Sequence, residues 1–166
     1  MIIYAQELKD FNKHRVQYVI VGGIAFNLLG GFRATADLDI LIDMTQANLS
    51  RLAGILREHG YRLLQPVDPM DVLDKKKRQE LIRTKNMKTL SFLKDNSLNQ
   101  VDVIIESPVS FARARETSIP VRVDGLRLPV AGIEQLISMK KAAWRPIDQA
   151  DIAELKILKK VKRTHG

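Results

Sequence analysis

Cysteine is absent from the 166-residue chain. That removes disulfides, thiolate nucleophiles and cysteine zinc sites, and it agrees with a reducing compartment. Histidine is scarce: His14, His59 and His165 lie far apart with no ligand spacing among them, which argues against a histidine metal centre. Any metal must then be held by oxygen. No apolar run approaches the ~20 residues of a membrane-spanning helix, and no basic stretch followed by an apolar signal segment opens the chain. A cytoplasmic protein with no membrane partner is expected. No Gly-x-Ser-x-Gly elbow occurs, so a Ser-His-Asp hydrolase has no supporting motif. Internal repeats and low-complexity segments are missing too, and solenoid and linker architectures drop out. Aromatics are few, and the single tryptophan, Trp144, is expected to anchor packing.

What is present fits one ordinary domain over 1–166, with 131–166 as a candidate helical C-terminal subdomain. A hydrophobic fraction of 45% beside a charged fraction of 28% belongs to a globular chain rather than a disordered one. Net charge is +8, which favours anionic partners but also serves solubility alone. Two basic runs stand out: Lys75, Lys76, Lys77 and Arg78, and a tail with Lys156, Lys159, Lys160, Lys162 and Arg163.

Along the chain, helices alternate with strands. Leu8 and Phe11 mark an amphipathic helix over 4–14, followed by a strand over 18–21. Gly22 and Gly23 break that strand, and 24–29 reads as a brief buried helix closed by Gly30 and Gly31. From Asp37 to Asp43 the chain alternates, placing Leu38, Ile40 and Ile42 on one face and Asp37, Asp39, Leu41 and Asp43 on the other. A helix over 46–59 stops at Gly60, a short strand covers 61–64, and a charged helix is expected over 71–85. Strands follow over 88–93 and 101–105, then a short helix after Pro108. Asp124-Gly125 turns a hairpin of 119–123 with 126–130. Pro146 separates two final helices, one begun by Ile133, Leu136, Ile137 and Lys140 and one over 147–158.

Phosphoryl and nucleotidyl transfer require close backbone contact with a triphosphate and a cation clamp of carboxylates. Gly22 and Gly23 follow a strand and open a helix, so their backbone N–H groups can face phosphate oxygens, although glycine pairs also make ordinary strand-to-helix turns. Asp37 and Asp39, two apart, project to one face where their carboxylates can share magnesium. Asp102 lies in an otherwise apolar strand, where a lone acid is costly to bury without a cation or partner. An exposed strand-edge acid is its plainer reading.

The runs Val-Gly-Gly-Ile-Ala-Phe and Gly-Gly-Phe-Arg-Ala-Thr-Ala-Asp-Leu-Asp-Ile resemble the DNA polymerase beta-like nucleotidyltransferase superfamily. There a glycine pair opening a helix is followed by two acids one residue apart, with a third acid on a later strand. Gly22, Gly23, Asp37, Asp39 and Asp102 match that pattern. Arg33-x-Thr35-x-Asp37-x-Asp39 looks most like the small nucleotidyltransferases related to AbiEii toxins of toxin–antitoxin and phage-defence systems. The resemblance implies an α/β (α+β) fold with a mixed sheet, a pair of magnesium ions, and transfer of a nucleoside monophosphate from an NTP with release of pyrophosphate. Asp37 and Asp39 would bind both metals and Asp102 the one at the acceptor hydroxyl. Many members carry serine where this chain has Gly23, so phosphate grip is weaker there or supplied elsewhere. Arg33, Thr35 and Lys140 are further candidates for nucleotide binding, with Lys141 and Arg145 beside them. Each has a plainer reading: Arg33 in a surface salt bridge, Lys140 snorkelling from a packed face, and Asp148 and Asp151 pairing with the nearby cations.

The rival reading is a non-catalytic nucleotide- or nucleic-acid-binding module on the same fold, with the basic tail as contact surface. Intact Asp37, Asp39 and Asp102 argue against it. The acceptor stays open among tRNA, a protein hydroxyl, an aminoglycoside and another nucleotide, and a cognate antitoxin protein is an expected partner if the toxin resemblance holds.

Overall fold

Seven short strands meet in one sheet because the apolar alternating segments have no other way to bury both their side chains and their backbone groups. The computed structural model describes residues 2–164, and side chains over 2–161. The strands are Tyr18–Val21 (β1), Leu38–Ile42 (β2), Tyr61–Leu63 (β3), Thr89–Lys94 (β4), Gln100–Ile104 (β5), Ile119–Val123 (β6) and Leu126–Val130 (β7). The α-helices are Ala5–Lys13 (α1), Gly22–Leu28 (α2), Gln46–Glu58 (α3), Lys75–Lys85 (α4), Phe111–Glu116 (α5), Ile133–Ala143 (α6) and Pro146–Thr164 (α7).

Strand order is β3-β4-β5-β2-β1-β7-β6. β1 runs antiparallel to β2 but parallel to β7, and β2 runs parallel to β5, so the sheet is mixed, as expected for an α/β (α+β) chain. The central strands are apolar apart from Asp39 and Asp102, and from Gln100 at the start of β5. Val19, Ile20, Val21, Leu38, Ile40, Val101 and Val103 are fully buried, which is how strands covered by helices read. At the far edge of the sheet Asp124-Gly125 turns the β6–β7 hairpin, both residues with positive φ (50° and 79°).

Several boundaries differ from the sequence reading. β2 begins at Leu38, leaving Asp37 in the loop before it. The segment expected as one helix over 71–85 is a 3₁₀ turn, Pro69–Leu73, followed by α4. The reason is Asp74, extended (ψ 122°) with its carboxylate accepting from the Lys77 backbone N–H at 2.8 Å. A side chain that caps a new helix interrupts the old one. α2 starts at Gly22 rather than residue 24, and Pro146 is the first residue of α7 instead of a spacer before it. A proline fits a first helical turn, where its missing N–H would have no partner anyway. α7 also runs on to Thr164.

Candidate active site

The register of three strands assembles the carboxylates. Asp39 pairs across β2–β5 with Asp102, flanked by the buried pairs Leu38–Val101 and Ile40–Val103. On its other side Asp39 pairs with Val21, the last residue of β1. The apolar neighbours thus set the register that makes the two acids adjacent. Tyr4, fully buried, braces the entry to both strands. Its hydroxyl donates to the Ala36 carbonyl (2.5 Å) and accepts from the Gln100 backbone N–H (3.1 Å), so one side chain holds the residue before Asp37 and the start of the Asp102 strand.

Gly22 is shaped by Asp39. A Cβ at position 22 would stand 2.0 Å from Asp39 Oδ2, and φ there is +68°. Both facts demand glycine: the first for room, the second for conformation. At Gly23 an added Cβ would stand 2.6 Å from Thr35 Oγ1, so the Thr35 hydroxyl lies against the first turn of α2. The glycine pair is therefore enclosed by an acid on one side and a hydroxyl on the other.

The carboxylates repel one another. Burial, then the charges of Asp102 and Asp37, push Asp39 up to about 7. Burial and the Asp102 charge raise Asp37 as well. Opposing these, the positive charges of Arg145 and Arg33 favour the ionised form of Asp39, which puts both guanidinium groups within electrostatic reach of it. The Gln100 side chain donates to both oxygens of Asp102 at 3.0 Å.

Arg33 and Lys140 share a buried carboxylate. Asp151 Oδ2 accepts from Arg33 (2.8 Å) and from the Lys140 ammonium (2.6 Å), and Lys140 also stands 3.7 Å from Asp148 and 5.5 Å from the Phe26 ring centre. Arg145 clasps Asp148 through its backbone N–H and two guanidinium nitrogens at 3.0–3.2 Å. The Arg33 backbone is fixed by a two-way amide bond to the Asn27 side chain (2.8 and 2.9 Å). The chain Arg33–Asp151–Lys140–Asp148–Arg145 ties the 31–37 loop to α6 and α7 and carries one more positive than negative charge. Both of its arginine ends are felt at Asp39. One buried polar atom, Arg33 Nε, has no hydrogen-bond partner among the described residues.

Asp37, Asp39, Asp102, Gly22, Gly23 and Thr35 are thus brought to one place, with Arg33 and Arg145 facing it. Lys140 is buried in ion pairs, and Lys141 is exposed. Trp144 is no packing anchor: it is 65% exposed in a left-handed conformation (φ 48°, ψ 41°) at the end of α6, beside Arg145. Sequence reasoning missed Tyr4 and Gln100. Gln100 had a readable signal, because it stands two residues before Asp102 on the same strand face; Tyr4 had none. Of the basic tail, Lys159 pairs with Glu134, while the side chains of Lys162 and Arg163, like all of His165, lie outside the described residues.

Among the described residues no group of three His, Cys, Asp or Glu side chains is placed so that it could hold a metal as it stands. The donor chemistry nonetheless suits a hard cation: carboxylate oxygens only, with burial first and the charges of Asp102 and Asp37 next pushing Asp39 up to about 7. No helix among the described residues is long and apolar enough to cross a membrane.

The family model described as "Nucleotidyltransferase of unknown function (DUF6036)" matches residues 2–164. No curated protein matches the chain. Among solved structures, the lincomycin-bound lincosamide antibiotic adenylyltransferase LnuA is similar with a TM-score of 0.60 at 17% identity, covering 93% of this chain and 94% of that one. ANT(2")-Ia in complex with adenylyl-2"-tobramycin is similar with a TM-score of 0.59 at 14% identity, covering 98% and 96%. At such identities the likeness is one of fold, and it extends over nearly the whole of each chain. With a family model spanning all but the ends of the sequence, the chain belongs to the nucleotidyltransferase family so described and is an enzyme of that class.

Proposed function

We propose that this enzyme transfers a nucleoside monophosphate from an NTP to the hydroxyl of an acceptor, with magnesium held by Asp37, Asp39 and Asp102. The observation that carries the reading is the pairing of Asp39 with Asp102 across adjacent central strands, with Asp37 close enough to raise Asp39 further. A structural acid pair would bring its own cation; here the positive charges that act on Asp39 belong to arginines committed to Asp148 and Asp151. Magnesium bound at these carboxylates would supply charge neutralisation and Lewis-acid polarisation of the phosphoryl oxygens.

In the transfer the acceptor oxygen forms a bond to the α-phosphorus, the bond from that phosphorus to the β-phosphate oxygen breaks, and pyrophosphate leaves while the hydroxyl proton is lost. Arg33 and Arg145 face the carboxylates and would meet the negative charge of the triphosphate. The Gly22 and Gly23 backbone would lie against the phosphates, and Thr35 would offer the hydroxyl that Gly23 lacks. The Gln100 amide, which donates to both oxygens of Asp102, would orient that carboxylate.

The acceptor class favoured is a small molecule bearing a hydroxyl, by analogy with the adenylylated tobramycin and the bound lincomycin of the two similar folds. The toxin-like role implied by resemblance, and with it a tRNA or protein acceptor and an antitoxin partner, stands on the Arg33–Asp39 run alone. The test is incubation with each α-labelled NTP, magnesium, and separate acceptor panels of aminoglycosides, lincosamides and tRNA. Transfer that disappears in Asp39→Asn and Asp102→Asn is expected. Undiminished transfer in either variant overturns the assignment.

A further inference from the structure

A second cavity, of about 610 Å³, opens at the other end of β1 from Gly22 and the carboxylates. Its wall includes Tyr18, the first residue of β1, whereas Asp39 pairs with Val21, the last; the two sites are separated by about 10 Å of strand at ~3.3 Å per residue. The volume lies in the roughly 300–1,000 Å³ range of small-molecule sites.

Three arginines line it, and no carboxylate does: Arg15 from the end of α1, Arg115 from α5 and Arg127 from β7. All three are exposed, and among the described residues none of the three guanidinium groups is in an ion pair or a side-chain hydrogen bond. Arg33, Arg62, Arg113 and Arg145 each find a carboxylate, whereas Arg51 and Arg78 reach only backbone carbonyls; what sets Arg15, Arg115 and Arg127 apart is that they converge on one cavity. The floor is firm and partly apolar. Pro120 and Pro129 pair directly across the hairpin, and the buried Leu128 lies between Arg127 and Pro129. One further step along the same face of the hairpin, Arg127 is directly opposite Arg122, a like-charge pair that costs stability unless an anion is shared.

Arg15 adds an independent sign. It follows α1 with φ +57°, a left-handed position where helices ordinarily place glycine, and its neighbours make the matching terminal hydrogen bonds, Arg15 N–H to the Asn12 carbonyl (3.1 Å) and Val16 N–H to the Phe11 carbonyl (2.9 Å). Arginine there carries a conformational cost that glycine would not. A long cation at a position suited to glycine thus lines the cavity beside two more arginines. Burial pushes the Tyr18 phenol up while the Arg115 charge acts in the opposite sense, which sets that guanidinium beside the cavity wall.

We infer that this cavity binds a phosphate-bearing ligand of mononucleotide size, gripped by Arg15, Arg115 and Arg127, at a site distinct from the carboxylate centre. Guanidinium forks suit phosphate oxygens, and the proline floor suits a flat or aliphatic body. The ligand is either a free nucleotide or one residue of a nucleic-acid strand, since both present the same phosphate.

Calorimetric titration in EDTA separates the two sites, because without divalent cations the acid cluster repels phosphate. Three probes are used on the full chain: inorganic phosphate, AMP and a short 5'-phosphorylated single-stranded oligonucleotide. The wild type is expected to bind AMP, the oligonucleotide or both, and Arg115→Ala/Arg127→Ala to bind at least about tenfold more weakly, with Arg115→Lys/Arg127→Lys between them. AMP alone identifies a free nucleotide; preference for the oligonucleotide, with a salt slope that falls by about one for each phosphate-binding arginine removed, identifies a strand. Asp39→Asn should leave this binding unchanged. Arg15→Gly is the decisive variant: it should melt at a higher temperature than wild type and yet bind more weakly, a combination that a structural role for Arg15 cannot produce. The inference is overturned if no probe binds the wild type, if binding survives removal of Arg115 and Arg127, or if Arg15→Gly binds as well as wild type.

Discussion

Replacing Asp39 with asparagine removes a buried charge that two neighbouring carboxylates repel and that Arg145 and Arg33 only partly offset, and the effect on stability has a definite sign. Asp39 is raised from 3.8 to about 7. Between those values the folded protein binds a proton that the unfolded chain has released, so stability falls as pH rises through this window and is flat above it. At ~1.4 kcal/mol per unit, the full penalty is about 4 kcal/mol, and the part lost between roughly pH 5 and pH 8 is ~2–3 kcal/mol. For a domain of this size that is about 5–10 °C in melting temperature. Asp37, also raised, adds to the same slope. Glu7 and Asp148 are lowered by their hydrogen bonds to Lys94 and Arg145 against the opposing effect of burial, so their contributions are lost on acidification below the ordinary carboxylate range, outside this window. Wild-type protein in EDTA should therefore melt lower at pH 8 than at pH 5, and Asp39→Asn should melt higher than wild type at pH 8 with most of the slope gone. Magnesium with NTP should reverse the order: ligand at about 100 times its dissociation constant adds ~2.7 kcal/mol to a protein that binds it, and the variant should gain far less. Scanning calorimetry at both pH values, with and without ligand, is sufficient. A wild type that is equally stable at pH 5 and 8, or a variant that keeps the wild-type slope, refutes a carboxyl raised at Asp39 by burial and neighbouring charge.

Gly22→Ala should lose transfer activity and at least ~2 kcal/mol of stability, whereas Gly60→Ala and Gly125→Ala, which share the positive φ but meet nothing within 4 Å, should lose only about 1 kcal/mol; denaturant melts that rank the three alike would remove the Asp39 contact as the cause. Lys140→Met leaves Asp148 and Asp151 short of a buried cation and should cost ~3 kcal/mol by the same assay; a change within experimental error would show the Arg33–Arg145 chain to be dispensable. Trp144→Gly should melt no lower than wild type and up to ~1 kcal/mol more stably, because it relieves a left-handed tryptophan that is 65% exposed. A marked destabilisation would mean that the ring does pack after all.

Local patterns carried much of the fold, and long-range charge pairing carried what the sequence could not show. The period-two run around Leu38, Ile40 and Ile42 announces a strand whatever its neighbours are. That Asp39 should lie beside Asp102, 63 positions away, depends on the parallel register of β2 and β5, which no local pattern encodes. For Lys140 the sequence did offer Asp148 and Asp151 as partners of the nearby cations, and the structure pairs it with both. Its helical spacing places it on a buried face, but the ammonium is tolerated there only because α7 returns Asp148 and Asp151 beneath it. Trp144 did mislead. Composition makes a lone tryptophan an expected core residue, yet α6 ends one residue before it, and the left-handed turn swings the ring out to solvent. The division of 71–85 turned on the cap at Asp74, a short-range signal that competed with an unbroken charged helical pattern.

The glycine pair takes on a second meaning in this setting. A glycine before a helix is commonly read as an opening for phosphate, but Gly22 is already occupied on its inner side by Asp39, whose carboxylate oxygen stands where any Cβ would be. Gly23 is likewise closed by Thr35. The absence of side chains at 22 and 23 is thus required by packing against Asp39 and Thr35. It follows that the glycines and the acids form one unit: the left-handed turn at Gly22 ends β1 at the position where its partner Asp39 needs room, and the strand pairing of Val21 with Asp39 supplies the alignment. Shifting either strand by one residue would turn Asp39 to the opposite face of the sheet and set an apolar side chain against the turn. The spacing between glycine pair and acids in the sequence is therefore a consequence of one antiparallel register, and the chemistry of the site is built on it.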